Sequence, residues 1–95
     1  MKRIMSIVNR VVNKEIMDAS SCGKVRSIFY LEMRSTYVRV KLTCDDDVNV
    51  QYYRSDIEIT FDSKFNHFNV RNEIVYHTSL TNEVIDTRVI ENIYK

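Results

Sequence analysis

Residues 25–44 read VRSIFYLEMRSTYVRVKLTC, and the alternation inside this stretch decides the fold. Val25, Ser27, Phe29, Leu31 and Met33 alternate with Arg26, Ile28, Tyr30 and Glu32. After Arg34-Ser35, Val38, Val40, Leu42 and Cys44 alternate with Tyr37, Arg39, Lys41 and Thr43. A period of two marks half-buried strands, because successive side chains of an extended chain leave on opposite faces. A hairpin turning at Arg34-Ser35 sets Leu31 opposite Val38, Phe29 opposite Val40 and Val25 opposite Cys44. One face is then apolar along its whole length.

The same reading extends outward. With Asp45-Asp46-Asp47 as a three-residue loop, Cys44 faces Val48, Leu42 faces Val50 and Val40 faces Tyr52. With Arg54-Ser55 as a two-residue loop, Tyr52 faces Ile57, Val50 faces Ile59 and Val48 faces Phe61. Parity survives three turns, although a one-residue slip at any of them would throw a strand's apolar set to the other face. The expectation is a four-stranded antiparallel meander between Gly23 and Asp62. Beyond Phe61, Asp62-Ser63-Lys64 is expected to turn and Phe68 and Val70 to lie opposite Ile59 and Ile57. Ile74, Tyr76 and Thr78 then form a further strand across Arg71-Asn72-Glu73, with a short helix or irregular loop through residues 64–72 as the alternative.

Helical spacing flanks the sheet. Ile4, Met5, Val8, Val11, Val12, Ile16 and Ala19 recur every three or four residues from Met1 to about Ala19, with Lys2, Arg3, Asn9, Arg10, Asn13 and Lys14 on the other side. Ser20-Ser21-Cys22-Gly23 ends this helix, and Gly23 is free to take the left-handed conformation there. From Thr81 to Tyr94, Ile85, Val89 and Ile93 fall on one stripe, with Ser79 or Thr81 as cap and Glu83 suited to a helix's first turn. These readings predict one α+β domain over residues 1–95. Its order is an N-terminal helix, an antiparallel meander of four to six strands and a C-terminal helix, both helices packed on one face of the sheet.

Composition narrows the function. With 44% hydrophobic and 28% charged residues the chain is globular, and it has no apolar run long enough to span a membrane. The basic start is broken by Asn9 and Arg10 before a secretory core forms, so reduced thiols and a cytoplasmic setting are expected. A single Gly and no Pro, with a lean towards Ile, Asn, Lys and Tyr, fit a small viral or phage protein acting in the host cytoplasm. One glycine also excludes phosphate-binding loops, which need several for close backbone approach.

No catalytic, cofactor or metal site assembles from the sequence. The spacing of Cys22, Cys44, His67 and His77 matches no zinc pattern, though a hairpin at Arg71-Asn72-Glu73 would set His67 opposite His77. Asp45-Asp46-Asp47 reads as a structural turn, since three adjacent side chains on a tight turn diverge and no Ca²⁺-loop Gly or distal Glu follows. Cys44 falls on the apolar face, and Cys22 has no positioned base.

What remains is a surface. In the expected register Arg26, Tyr30, Tyr37, Arg39, Lys41 and Tyr53 face outward together, with Arg39 between Tyr30 and Tyr53. Tyrosine and arginine are enriched at protein-binding hot spots, and basic residues among rings also suit single-stranded nucleic acid. Residues 1–44 hold nine Lys/Arg against three Asp/Glu, and residues 45–95 hold five against ten, giving +6 and −5. The acidic half argues against a nucleic-acid track crossing the whole sheet. The expectation is therefore a non-enzymatic binding protein, an accessory factor or inhibitor, that contacts another protein. Single-stranded nucleic acid is the alternative partner, and a homodimer or larger homo-oligomer is a third reading. The sheet edge at the first strand is a second candidate contact.

Overall fold

The computed structural model describes residues 2–18, 23–46, 48–62 and 67–94. One helix, α1 (Lys2–Asp18), precedes five strands: β1 (Lys24–Met33), β2 (Tyr37–Asp46), β3 (Gln51–Phe61), β4 (Phe68–Thr78) and β5 (Val84–Tyr94). The strands form one antiparallel meander in the order β1-β2-β3-β4-β5. The α+β class and the N-terminal helix stand as expected. Ser20, Ser21 and Cys22, together with Asp47 and the Ser63-Lys64 part of the expected turn, lie outside the described residues.

Each strand is 10 or 11 residues long, about twice the usual length. A chain with one Gly and no Pro has few breakers, and two expected turns do not form. Arg54-Ser55 lies inside β3, where Ser55 is buried opposite Leu42 and Ile74. Arg71-Asn72-Glu73 lies inside β4, where Asn72 is buried opposite Ile57. Both are polar interruptions in an otherwise apolar stripe. The meander between Gly23 and Asp62 accordingly has three strands rather than four.

Losing the Arg54-Ser55 turn changes the register. Val38 pairs with Ile59, Val40 with Ile57 and Cys44 with Tyr53, so Tyr53, Ser55, Ile57, Ile59 and Phe61 face the core. Val48 and Val50 sit exposed in the β2–β3 loop instead of in a strand. The expected pairs Val40–Tyr52 and Tyr52–Ile57 do not form. Along β4 the partners are Phe61–Phe68 and Ile59–Val70, two residues away from the expected pairing.

The C-terminal segment is a strand, not a helix. Val84, Ile85, Thr87, Val89, Ile90, Ile93 and Tyr94 make it rich in β-branched and aromatic side chains, which favour a pleated surface over a helix. Its helical spacing becomes exposure on both faces of β5. Gly23 also departs from expectation: its φ is not positive, and its N–H donates to the Asp45 carbonyl as an extension of the β1 ladder.

One helix covers the sheet. Ile4, Val8, Val11 and Val12 of α1 share a buried cluster with Val38 and Val40 of β2, Ile57, Ile59 and Phe61 of β3, and Phe68 and Val70 of β4. Full burial of each aliphatic side chain is worth roughly 1.5–3 kcal/mol. A helix is about 10 Å across, whereas five strands at about 4.8 Å spacing span about 19 Å. The three central strands are therefore sheltered, and among the described residues nothing covers the two edges. Near the end of α1 a buried polar tie takes over, as Asn72 and Tyr94 donate to the two Glu15 carboxylate oxygens at 3.2 and 3.0 Å.

Candidate interaction surface

The face of the sheet away from α1 is built as rows crossing the strands. One row runs Glu32, Arg39, Glu58, Arg71 and Glu91, alternating in sign across all five strands. The next runs Phe29, Lys41, Asp56, Glu73 and Val89, and a third Ser27, Thr43, Arg54, Val75 and Thr87. A fourth runs Lys24, Asp45, Tyr52, His77 and Val84. Directly opposed side chains on one face approach closely, so each row is a chain of contacts.

Arg26, Arg39 and Arg71 on this face are held by carboxylates. Arg39 grips Asp56 with a two-pronged fork, Nε to Oδ1 at 2.9 Å and Nη2 to Oδ2 at 2.6 Å. This fork holds the Asp56 carboxyl below its ordinary value and the guanidinium above its own. Arg71 lies among Glu58, Glu73 and Glu91 at 3.8, 3.7 and 3.5 Å. Arg26 pairs with Asp45 and stacks over the Tyr52 ring at 4.8 Å. Burial, reinforced by Glu58 and Glu32, raises the Tyr37 phenol.

Tyr52 also stacks on His77, rings 4.8 Å apart and nearly parallel. Arg54 donates to His77 Nε2, so the ring's proton sits on Nδ1 and is donated to the Asn82 carbonyl at 3.1 Å. The Tyr52 hydroxyl donates to the Asn82 side chain at 3.2 Å. Asn82, at φ 64°, is thereby fixed in the β4–β5 turn. Phe29, Lys41, Thr43, Arg54, Asp56, Glu73 and Val75 line a shallow concavity of about 300 Å³ on the same face.

The six residues expected to form one patch are dispersed. Arg26, Tyr37, Arg39 and Lys41 do lie on the outer face. Tyr53 does not: it is 1% exposed, inside the core, because β3 is shifted by one residue in parity. Tyr30 sits opposite Val40 on the helix side, half-exposed only because α1 does not reach the edge. The cause is a pair of bulges in β1, between Val25 and Ser27 and between Tyr30 and Glu32. Between them the alternation is inverted, so Phe29, expected in the core, stands outward opposite Lys41 at 61% exposure.

Tyr52 and Phe29 therefore take the places expected for Tyr53 and Tyr30. The adjacent Tyr52-Tyr53 pair was the available signal, since a parity change swaps one ring for the other. The expected His67–His77 pair is also absent: His77 lies opposite Tyr52 and Val84, and His67 precedes β4 beside Asp62.

Asp46 organises the β2–β3 loop. Its carboxylate accepts from the Val48 and Asn49 backbone and from the Asn49 and Gln51 side chains. These bonds, the Asn49 side chain foremost, hold its carboxyl below the usual range. Among the described residues no cluster of His, Cys, Asp or Glu has the arrangement of a metal site, and no helix is long and apolar enough to cross a membrane.

Fold and surface together define an α+β protein with a charge-balanced sheet face and two edges that no described residue covers. Comparison with protein-family models, curated proteins and solved structures finds no match for this chain.

Proposed function

We propose that this is a non-enzymatic binding protein of the cytoplasm that acts through contact with another protein, as an accessory factor or inhibitor. One observation carries the reading. Among the described residues, ten of the fourteen exposed large hydrophobic side chains lie on the two edge strands, five on β1 and five on β5. Apolar surface concentrated in this way marks contact sites rather than a scattered solvated surface. On β1 the contact is made by side chains, with Phe29 projecting beside Lys41 on the outer face and Ile28 and Tyr30 on the helix side.

Charge balance counts against the nucleic-acid alternative. Lys24, Arg26, Arg39, Lys41, Arg54 and Arg71 on the outer face are matched by Glu32, Asp45, Asp56, Glu58, Glu73 and Glu91. A phosphate backbone requires a track of uncompensated cations. Here each row returns to near neutrality.

The test is retention of a host protein by the immobilised chain, compared with a Phe29→Asp/Leu31→Asp variant. Loss of retention in that variant, with little response to salt, supports the reading. Retention that survives it, falls steeply with salt and disappears with Arg39→Ala/Lys41→Ala points to nucleic acid and overturns it.

A further inference from the structure

The two bare edges are built differently. β1 carries two bulges within ten residues, which twist its free edge away from any straight partner strand. On β5 the ladder with β4 runs unbroken from Asp86 to Tyr94, and the single register shift falls before it. The side of β5 away from β4 thus presents a regular row of backbone donors and acceptors with no strand beside it among the described residues. The strand also exposes aliphatic side chains on both faces, interspersed with Asp86, Arg88, Glu91 and Asn92: Val89 and Ile93 project from the outer face, and Ile90 from the helix face. β5 thus carries exposed aliphatic side chains along an open and regular edge.

We infer that β5 pairs antiparallel with β5 of a second copy, about a two-fold axis through Val89, joining two sheets into one of ten strands. Such an axis stands perpendicular to the sheet, so each residue meets one on its own face. Centred on Val89, the register sets Val89 against itself, Arg88 against Ile90, Thr87 against Glu91, and Asp86 against Asn92. Ile93 then reaches towards the partner's Ile85 at the bulge. No like charges are directly opposed, Val89 meets its own copy, and the one charged–apolar pair lays the alkyl stem of Arg88 against Ile90.

Neighbouring registers are worse. Centring on Arg88 opposes two guanidinium groups, and centring on Glu91 opposes two carboxylates. Centring on Ile90 sets Val89 against Glu91 and Ile93 against Thr87. With a net charge of +1, two copies do not repel strongly at long range. The occupant that fits this edge is the chain itself. The inference rests on β5 alone, so the fate of any foreign partner at β1 leaves it untouched.

The experiment is sedimentation equilibrium of the full chain from about 1 μM to about 1 mM, the range in which a weak protein dimer forms. The expected mass rises from 11.3 kDa to twice that value and no further. Val89→Lys, which places two ammonium groups at the axis, should remain monomeric; Leu31→Lys on β1 should dimerise like the parent. A second variant guards against misfolding. In a Cys22→Ser background, Val89→Cys should oxidise to a disulfide-linked dimer through the introduced thiols, because directly opposed residues are about 4.5–5.5 Å apart, within disulfide reach. Thr87→Cys should not. A monomer at all concentrations, a mass growing beyond two copies, a dimer lost with Leu31→Lys but kept with Val89→Lys, or preferential linking through Thr87→Cys overturns the inference.

Discussion

Asn72, in the middle of β4, donates its side-chain amide to the Glu15 carboxylate of α1 at 3.2 Å, across 57 positions of sequence. With Tyr94 donating to the other oxygen, this contact ties the helix to β4 and β5 beside the apolar core. It also explains why a residue typical of turns lies buried within a strand. The Asn72 Oδ1 atom has no hydrogen-bond partner among the described residues, so the tie is made through the amide nitrogen alone.

Removing either partner should be costly. Glu15→Ala strands the buried Asn72 amide and the partly buried Tyr94 hydroxyl, and Asn72→Ala leaves the carboxylate with one donor. Each should lower stability by about 2 kcal/mol, Glu15→Gln by less. Urea unfolding of the single and double variants should show the double well short of the sum of the singles.

Register predicts opposite outcomes for neighbouring tyrosines. Tyr53 is in the core and Tyr52 is on the outer face, half-exposed. Tyr53→Ala should cost about 3–5 kcal/mol through the cavity it leaves. Tyr52→Ala, which loses the stack with His77 and Arg26, should cost about 1 kcal/mol. Thermal unfolding of the two proteins distinguishes this register from its one-residue alternative.

Val50 occupies the left-handed region at φ 53°, where a β-branched side chain is strained. Its carbonyl accepts from the Ser79 N–H, so the loop conformation is held from the β4–β5 turn. Val50→Gly keeps that backbone bond and relieves the strain. Stability should rise by about 0.5–1 kcal/mol in denaturant titration.

Acid should weaken the fold in a defined direction. Asp46 and Asp56 lie below the ordinary 3.8 when folded, so as pH falls past that value the unfolded chain takes up protons first. Stability contributed by both carboxylates is present above 3.8 and is lost as pH drops through their folded values. Asp56 is partly open to solvent, which damps its share. Unfolding measured from about pH 6 downward should show a decline that Asp46→Asn and Asp56→Asn each make shallower.

Backbone chemical shifts test β5 directly. Val84–Tyr94 should show strand shifts, leaving the 17 residues of α1 as the helical segment among those described. Helical shifts there would restore the second covering helix and remove the bare edge.

The sequence carried much of this arrangement in its local patterns. The spacing of Ile4, Val8, Val11 and Val12 specified an amphipathic helix, because those positions share one side of a 3.6-residue turn. The alternation of Val38, Val40, Leu42 and Cys44 specified a half-buried strand with Cys44 inward. Three of the six expected surface residues, Tyr37, Arg39 and Lys41, followed from the same alternation. The division of charge between a basic and an acidic half was also visible, and the structure joins the two in pairs such as Arg39–Asp56.

Only the tertiary structure decided the rest. Two parities satisfied the stripe between Val48 and Phe61, one using Tyr52 and a turn at Arg54-Ser55, the other using Tyr53 and a buried Ser55. Choosing between them depends on the opposing strand and not on local pattern, because a period of two looks the same after a slip. The bulges of β1 arise likewise in its pairing with β2. The stripe Ile85, Val89 and Ile93 is compatible with a helix in isolation, and becomes a strand beside β4's open hydrogen-bonding groups. Polar groups such as Asn72 could not be assigned to the interior until Glu15 was brought to them. Short-range periodicity fixes which faces of an element are apolar, whereas pairing partners and burial depend on contacts between residues far apart in the chain.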